Sequence, residues 1–377
     1  MEVGTLNVRA GGPPFSMSRQ MYGLLENGVD SVCVMPPCDE DDIIDLSLDY
    51  HFCEPAAFSC LGFDYIPQID KSFSKIKDIN LIHIQDVWTY FSHSAAQYAR
   101  HSAIPYVIAP RGSLYKRAMG GRKWLKKQIA WYAYQKYDIN HADCIQATCT
   151  DEMKELRALG CKVPIAIIPN SCDATLDACD TYNDDGFFRI GYLGRLSPRK
   201  HVEKVIYALA ELKKKYDNVR LLIIGKDDEK YENFLKLECR RLKLGDLVEF
   251  AGFLKGNALD QAIRQCNIFV FPSDFENWGN VVSEVLVREI PVITTIGMPW
   301  EILKEKLCGW WIDPSQATIN NTLFAAYNME YDELRLMGKR GRTLVEERFS
   351  VGAVGEKLKN LYNWILTGGA MPDFVYL

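Results

Sequence analysis

Short apolar runs that read as strands alternate with amphipathic runs that read as helices along most of the chain. No other feature restricts the possible folds as far. In the first half the predicted strands are Ser31–Met35, Leu81–Gln85, Tyr106–Ala109, Cys144–Ala147 and Ile165–Ile168, with helices at Ser16–Asn27, Ser92–His101 and Arg122–Asn140. In the second half they are Arg189–Leu193, Val219–Ile224, Val248–Ala251, Ile268–Phe271 and Pro291–Thr294. The helices there are Val202–Lys215, Glu229–Leu242, Asn257–Cys266, Val281–Arg288 and Tyr331–Glu346. Such alternation gives parallel sheets covered by helices on both faces. The pattern restarts once, after the polar, acidic and aperiodic stretch Ile168–Phe188, which reads as a linker between two α/β units. A chain of 377 residues can supply both cores. Ligands of such units bind beyond the C-terminal ends of the strands.

Charge and cysteine usage exclude several functions. A formal net charge of -5 argues against nucleic-acid binding, which needs a strong basic field. Twelve cysteines include no C-x-x-C pair, and most lie in apolar runs, so they read as reduced, buried small hydrophobes. The start "MEVGTLNVRAGG" lacks a signal pattern and offers a stub of a first strand. No apolar run approaches the ~20 residues that span a bilayer. The expectation is a cytoplasmic protein able to lie against the inner face of the cell membrane.

Two segments carry the strongest chemical signal. In "GYLGRLSPRKHVEKVI" (Gly191–Ile206) a strand ends at Gly194 and a helix begins near His201, with Arg195 and Lys200 bracketing the turn. Two cations beside a helix start suit a diphosphate; equally, they suit a solvated loop. In "FPSDFENWGNVVSEVLVREIPVIT", which begins at Phe271, Glu276 sits in a loop and Gly279 allows close backbone approach. The amides of Trp278, Gly279, Asn280 and Val281 can face a phosphate or sugar oxygen. Glu284, one turn into the next helix, can accept two vicinal hydroxyls. Both glutamates read equally well as ordinary helix-start and surface charges.

The spacing of Glu276 and Glu284 matches the E-x7-E motif of retaining glycosyltransferases of the GT-B fold, family 4. "GRLSPRK" resembles that family's phosphate turn and "VEFAGFL" its nucleobase turn. "AGGPP", "LIHIQDVW", "IPYVIAPRGSL" and "IPNSCD" resemble its acceptor-side segments, in the same order. The resemblance implies two Rossmann-like parallel-sheet domains facing across a cleft. Residues 1–172 would form the acceptor side and 173–350 the nucleotide-sugar side, with 351–377 crossing back to the first domain. It further implies that Arg195 and Lys200 neutralise a UDP- or GDP-type diphosphate, Glu284 holds the ribose and Glu276 the transferred sugar. Phe253 and its neighbours would meet the base. Gly11 and Gly12, in the first loop, would let the backbone approach. No metal or other cofactor is needed. The expected partners are the nucleotide-sugar donor and a glycan or lipid-linked acceptor in surface polysaccharide or lipopolysaccharide synthesis.

The chain departs from the family at three places. Where many members carry a His, the loop "PRGSL" has Arg111, which cannot act as a base. Arg111 then supports developing charge, or the leaving phosphate itself takes the acceptor proton. A usual glycine is replaced by Glu289. The glycine-pair loop reads "GMPWE" (Gly297–Glu301), where Pro299 and Trp300 either shape the sugar pocket or pack as core.

The stretch "YKRAMGGRKWLKKQIAWYAYQKY" (Tyr115–Tyr137) reads as a basic amphipathic helix. Arg122, Lys123, Lys126 and Lys127 fall on one side and Trp124, Leu125, Ile129, Trp131 and Tyr132 on the other. It either docks on an anionic membrane through residues 122–127 or packs its aromatic side on the sheet. His83 and His201 lie nearest the expected site and read as structural. Asp184/Asp185 and Asp227/Asp228 read as loop charges. A non-catalytic nucleotide-sugar-binding protein of the same fold is the alternative function. A nicotinamide oxidoreductase is excluded by the lack of an early G-x-G-x-x-G.

Overall fold

The computed structural model describes residues 1–10, 12–60, 63–66, 69–120, 124–175, 185–226 and 229–377. The chain divides into two compact units, Met1–Ser171 with Val351–Leu377, and Cys172–Ser350.

Unit 1 contains β1 (Glu2–Val3), β2 (Cys33–Met35), β3 (Tyr50–Phe52), β4 (Phe58–Cys60), β5 (Phe63–Tyr65), β6 (Ile82–Ile84), β7 (Tyr106–Ile108), β8 (Cys144–Ala147) and β9 (Ile165–Ile167). β4 and β5 pair as a separate hairpin. The others form one sheet in the order β9-β8-β7-β6-β1-β2-β3, all parallel, extended beyond β9 by the antiparallel strand Val375–Tyr376. The predicted stub is therefore a central strand, β1, paired with β2 on one side and β6 on the other. The sheet is short-stranded, and its apolar residues are covered on both faces.

One covering face is built by two helices, Gly12–Glu26 and Val351–Thr367. Gly23 and Gly355 bring them together. A Cβ on Gly355 would lie 2.0 Å from the Gly23 carbonyl oxygen, so the contact requires glycine. Val354, Leu358 and Leu361 pack there with Leu24, Val107 and Ile168.

Unit 2 contains β10 (Phe188–Leu193), β11 (Val219–Ile224), β12 (Val248–Gly252), β13 (Ile268–Phe271), β14 (Val292–Thr295) and β15 (Gly309–Ile312), a parallel sheet in the order β12-β11-β10-β13-β14-β15. The helices Val202–Lys213, Glu229–Arg241, Gln316–Tyr327 and Tyr331–Arg348 belong to this unit. Glu289, just before β14, has φ 63°, the left-handed conformation that glycine adopts without penalty. That accounts for a glycine being the family's habit there.

The predicted helix Arg122–Asn140 is interrupted. Trp124–Ala130 and Lys136–Asn140 are α-helical, but Trp131–Gln135 is a π-helical turn, which shifts the side-chain period. The expected two-sided wheel is accordingly corrected. Trp131 is buried, whereas Trp124, Leu125, Ile129 and Tyr132 are 53 %, 62 %, 63 % and 74 % exposed, and Lys126 is exposed as well. Lys127 turns inward to donate to the Ala118 carbonyl at 2.6 Å. Arg122, Lys123, Asp184, Asp227 and Asp228 lie outside the described residues. Among the described residues no helix is long and apolar enough to cross a membrane. Cys33, Cys53, Cys144, Cys149, Cys161, Cys172, Cys239, Cys266 and Cys308 are free and buried, and Cys38 is free and half-buried; burial pushes the Cys144 and Cys266 thiols up to about 12.

Candidate functional site

In unit 2 the chemistry gathers at the C-terminal ends of β10 and β13, which are neighbours in the sheet. After β10, Gly194 passes so close to Gly225 that a Cβ on Gly225 would lie 1.9 Å from the Gly194 carbonyl oxygen. Arg195 follows and is exposed. Pro198–Lys200 form one 3-10 turn, and His201, left-handed at φ 50°, leads directly into the helix Val202–Lys213.

The segment after β13 is tied to this turn. The Asp274 amide donates to the Arg199 carbonyl at 3.2 Å, and His201 Nε2 meets Asp274 Oδ2 at 2.6 Å. Lys200 Nζ donates to Glu276 Oε1, with the two side chains 21 % and 19 % exposed. Behind this pair, His201 Nδ1 contacts Glu203 Oε1 at 2.8 Å, and the other Glu203 oxygen accepts the Tyr231 hydroxyl. Burial alone would lower the His201 pKa. The hydrogen bonds to Asp274 and Glu203 outweigh it and hold the imidazole above its usual value. Of this network sequence reading singled out Lys200 and Glu276, and took His201 as structural. Glu203, Tyr231 and Asp274 have no spacing that marks them.

Gly279 has φ 82°, and a Cβ there would lie 2.5 Å from Met298 Cε. The short helix Asn280–Leu286 follows, with Asn280, Val281 and Glu284 each partly exposed. Trp278 is buried against Trp300 and Phe349, with ring centroids 4.8 and 5.1 Å away. Trp300 is completely buried and donates its indole N–H to the Trp278 carbonyl at 2.7 Å. Of the two readings of Trp300, core packing is the one observed. Phe253 is 74 % exposed just beyond Gly252 at the end of β12.

In unit 1, Arg111 lies beyond β7 in a left-handed conformation, φ 47°. Its Nε donates to Gln85 Oε1 at 3.0 Å, Nη1 to Asn170 Oδ1 at 2.7 Å and Nη2 to Gln20 Oε1 at 3.2 Å. Gln20 and Gln85 donate their amides to the buried carboxylate of Glu2. The Tyr362 hydroxyl donates to Glu2 at 3.3 Å and lies 2.6 Å from His83 Nδ1. Burial pushes the Glu2 carboxyl up and the Arg111 guanidinium down. Glu152 holds the loop beyond Arg111, accepting from the amides of Gly112 at 2.6 Å and Thr148 at 2.7 Å. Gly12 is the first residue of its helix rather than part of a loop, and a Cβ on it would meet nothing within 4 Å. Gly11 lies outside the described residues.

Two family models match the chain in succession: "Glycosyl transferase 4-like domain" over residues 62–171 and "Glycosyl transferases group 1" over residues 181–343. Residues 181–343 thus carry the domain of the group 1 glycosyltransferases, and the chain has the GT-B fold. A GDP-mannose-dependent alpha-mannosyltransferase of Mycolicibacterium smegmatis is 28 % identical over 207 residues, which are 52 % of this chain and 50 % of that protein. The sucrose-phosphate synthase of Thermosynechococcus elongatus shares the fold with a TM-score of 0.76 at 18 % identity, over 98 % of this chain and 99 % of that one. Anabaena HepE, solved in complex with UDP and glucose, has a TM-score of 0.72 at 16 % identity over 96 % and 98 %. The chain spans 31 %, 50 % and 47 % of the lengths of the first three curated relatives it matches.

Proposed function

We propose that the protein transfers a hexose-type sugar from a UDP or GDP donor to a glycan or lipid-linked acceptor in surface polysaccharide or lipopolysaccharide assembly. The anomeric configuration is retained and no metal takes part. The observation that carries this reading is the Lys200–Glu276 ion pair at the shared edge of β10 and β13. A donor offers each partner a replacement: a diphosphate for Lys200 and sugar hydroxyls for Glu276. Arg195, exposed one turn earlier, adds the second cation, and the two stabilise the departing nucleoside diphosphate. Glu284 takes the ribose hydroxyls. The backbone of Trp278, Gly279, Asn280 and Val281 takes donor oxygens, and that of Gly252 and Phe253 the base.

In the reaction the bond between the anomeric carbon and the diphosphate breaks, and its electron pair leaves with the nucleoside diphosphate. The acceptor oxygen bonds to the same face of that carbon, and its proton passes to the leaving phosphate. Arg111, a permanent cation, supports the charge that develops on the donor. Gly12, on which a Cβ would meet nothing within 4 Å, leaves room for donor or acceptor. The mannosyltransferase relative and the HepE complex support a sugar nucleotide of GDP or UDP type. The exposed Trp124, Leu125, Ile129 and Tyr132, together with exposed Lys116 and Lys126, support docking on an anionic membrane at its cytoplasmic face.

A thermal-shift panel with UDP, GDP, ADP and NAD tests the reading. UDP or GDP should raise the Tm, and the corresponding sugar nucleotides should be hydrolysed or transferred. Stabilisation by NAD alone overturns it, and nucleotide binding without any turnover favours the non-catalytic alternative.

A further inference from the structure

A concavity lies wholly within unit 1, at the C-terminal ends of β1, β2, β3 and β6, between the first loop and the turn beyond β6. Its volume is about 390 Å3. The strand order of the sheet reverses between β6 and β1, so the concavity sits at the topological switch point, where open α/β sheets take their ligands. Its walls are largely apolar, with Pro13, Met17, Pro36, Pro55, Ile66 and Phe91 among them.

Among the described residues one charged side chain lines it, Asp86, two residues beyond β6. Asp86 accepts the Val87 amide on Oδ1 at 2.7 Å, and no described residue bonds Oδ2. The side chain is solvent-accessible, yet the protein around it raises its pKa to about 6, against the pull of Arg111 and Lys127. Several neighbouring polar groups are already engaged. The Gln85 amide is held between Glu2 and Arg111. Thr89 Oγ1 accepts the Ser92 amide and pairs with the Ser92 hydroxyl, and Thr5 Oγ1 accepts the Asn7 amide. A bare sugar placed there would leave most of its hydroxyls unpaired, whereas an apolar body would lose nothing.

We propose that this pocket receives the apolar segment of an amphiphilic acceptor, and that Asp86 Oδ2 accepts a hydrogen bond from the hydroxyl beside that segment. The word acceptor rests on the transferase reading; the binding does not. Saturation-transfer NMR on the full chain tests it, with hexyl β-glucoside and methyl β-glucoside as probes below the micelle concentration. The hexyl protons should receive saturation, and the hexyl compound should bind at least tenfold more tightly than the methyl one. Ala56→Phe, which fills the pocket from an exposed wall position, should weaken hexyl binding at least tenfold and leave the nucleotide-induced Tm shift unchanged. Asp86→Asn should weaken it several-fold. Equal affinity for the two glucosides, or hexyl binding indifferent to Ala56→Phe, overturns the proposal. Hexyl binding that persists where no nucleotide binds would refute the donor reading and leave the pocket standing.

Discussion

Arg111 and Glu2 are joined without touching, because Gln20 and Gln85 stand between them. Each glutamine donates its amide N–H to Glu2 and accepts from the Arg111 guanidinium on its carbonyl oxygen. Both amide orientations are thereby fixed, and so is the guanidinium. Gln85→Leu removes one bridge and strands polar atoms on both charges. We expect a loss of about 2–4 kcal/mol in urea denaturation.

Lys200 and Glu276 separate function from stability. Both are partly solvated, so breaking their pair should cost less than about 1 kcal/mol. Lys200→Ala and Glu276→Gln should nonetheless lower donor turnover by roughly 100-fold or more, by analogy with removal of a preorganised charge-stabilising group. Wild-type turnover in both variants would refute their roles.

His201 makes the fold pH-dependent in a known direction. Its folded pKa is raised, so the stability it gains from Asp274 and Glu203 is fully present below its unfolded value of about 6.5 and fades as pH rises through the raised value. Asn tolerates the left-handed backbone at this position. The stability difference between wild type and His201→Asn should therefore be largest near or below about pH 6 and shrink on the alkaline side.

Gly12 should be replaceable without harm to the fold, since an added methyl meets open space. Gly12→Ala is expected to leave the Tm unchanged or slightly raised. A fall in donor or acceptor affinity in that variant would place the ligand against this backbone, and unchanged affinity would remove Gly12 from the site.

The exposed aromatic surface predicts vesicle binding. Leu125→Glu with Ile129→Glu should abolish co-sedimentation with anionic vesicles and leave the Tm near wild type, because both side chains are already in solvent. Equal sedimentation of variant and wild type would sink the membrane reading.

Where both faces of a strand are buried, the apolar run alone marks its limits: Cys144–Ala147, Val219–Ile224 and Ile268–Phe271 were legible residue for residue. Elements with little buried apolar surface were not. The helix Thr150–Ala158 buries only Glu152 and Leu156, and β15 is four residues long with three of them half-exposed. Lys200 and Glu276 were legible because each sits in a recognisable turn. The bridge from Glu2 to Arg111 was not, because glutamines 65 positions apart carry no periodic signal: Gln20 is brought in by the helix Gly12–Glu26 and Gln85 by the place of β6 beside β1 in the sheet.

The Gly23–Gly355 contact has a consequence for synthesis. The cover over Leu24, Val107 and Ile168 comes from residues that follow all of unit 2 in the chain. On the ribosome, then, the second unit is fully translated while the first still has an open apolar face. The helix Val351–Thr367 completes the domain that began first. A nascent chain halted near Ser350 should bind a hydrophobic dye or a holdase chaperone through that face, and release it once Leu361 and Tyr362 have been added.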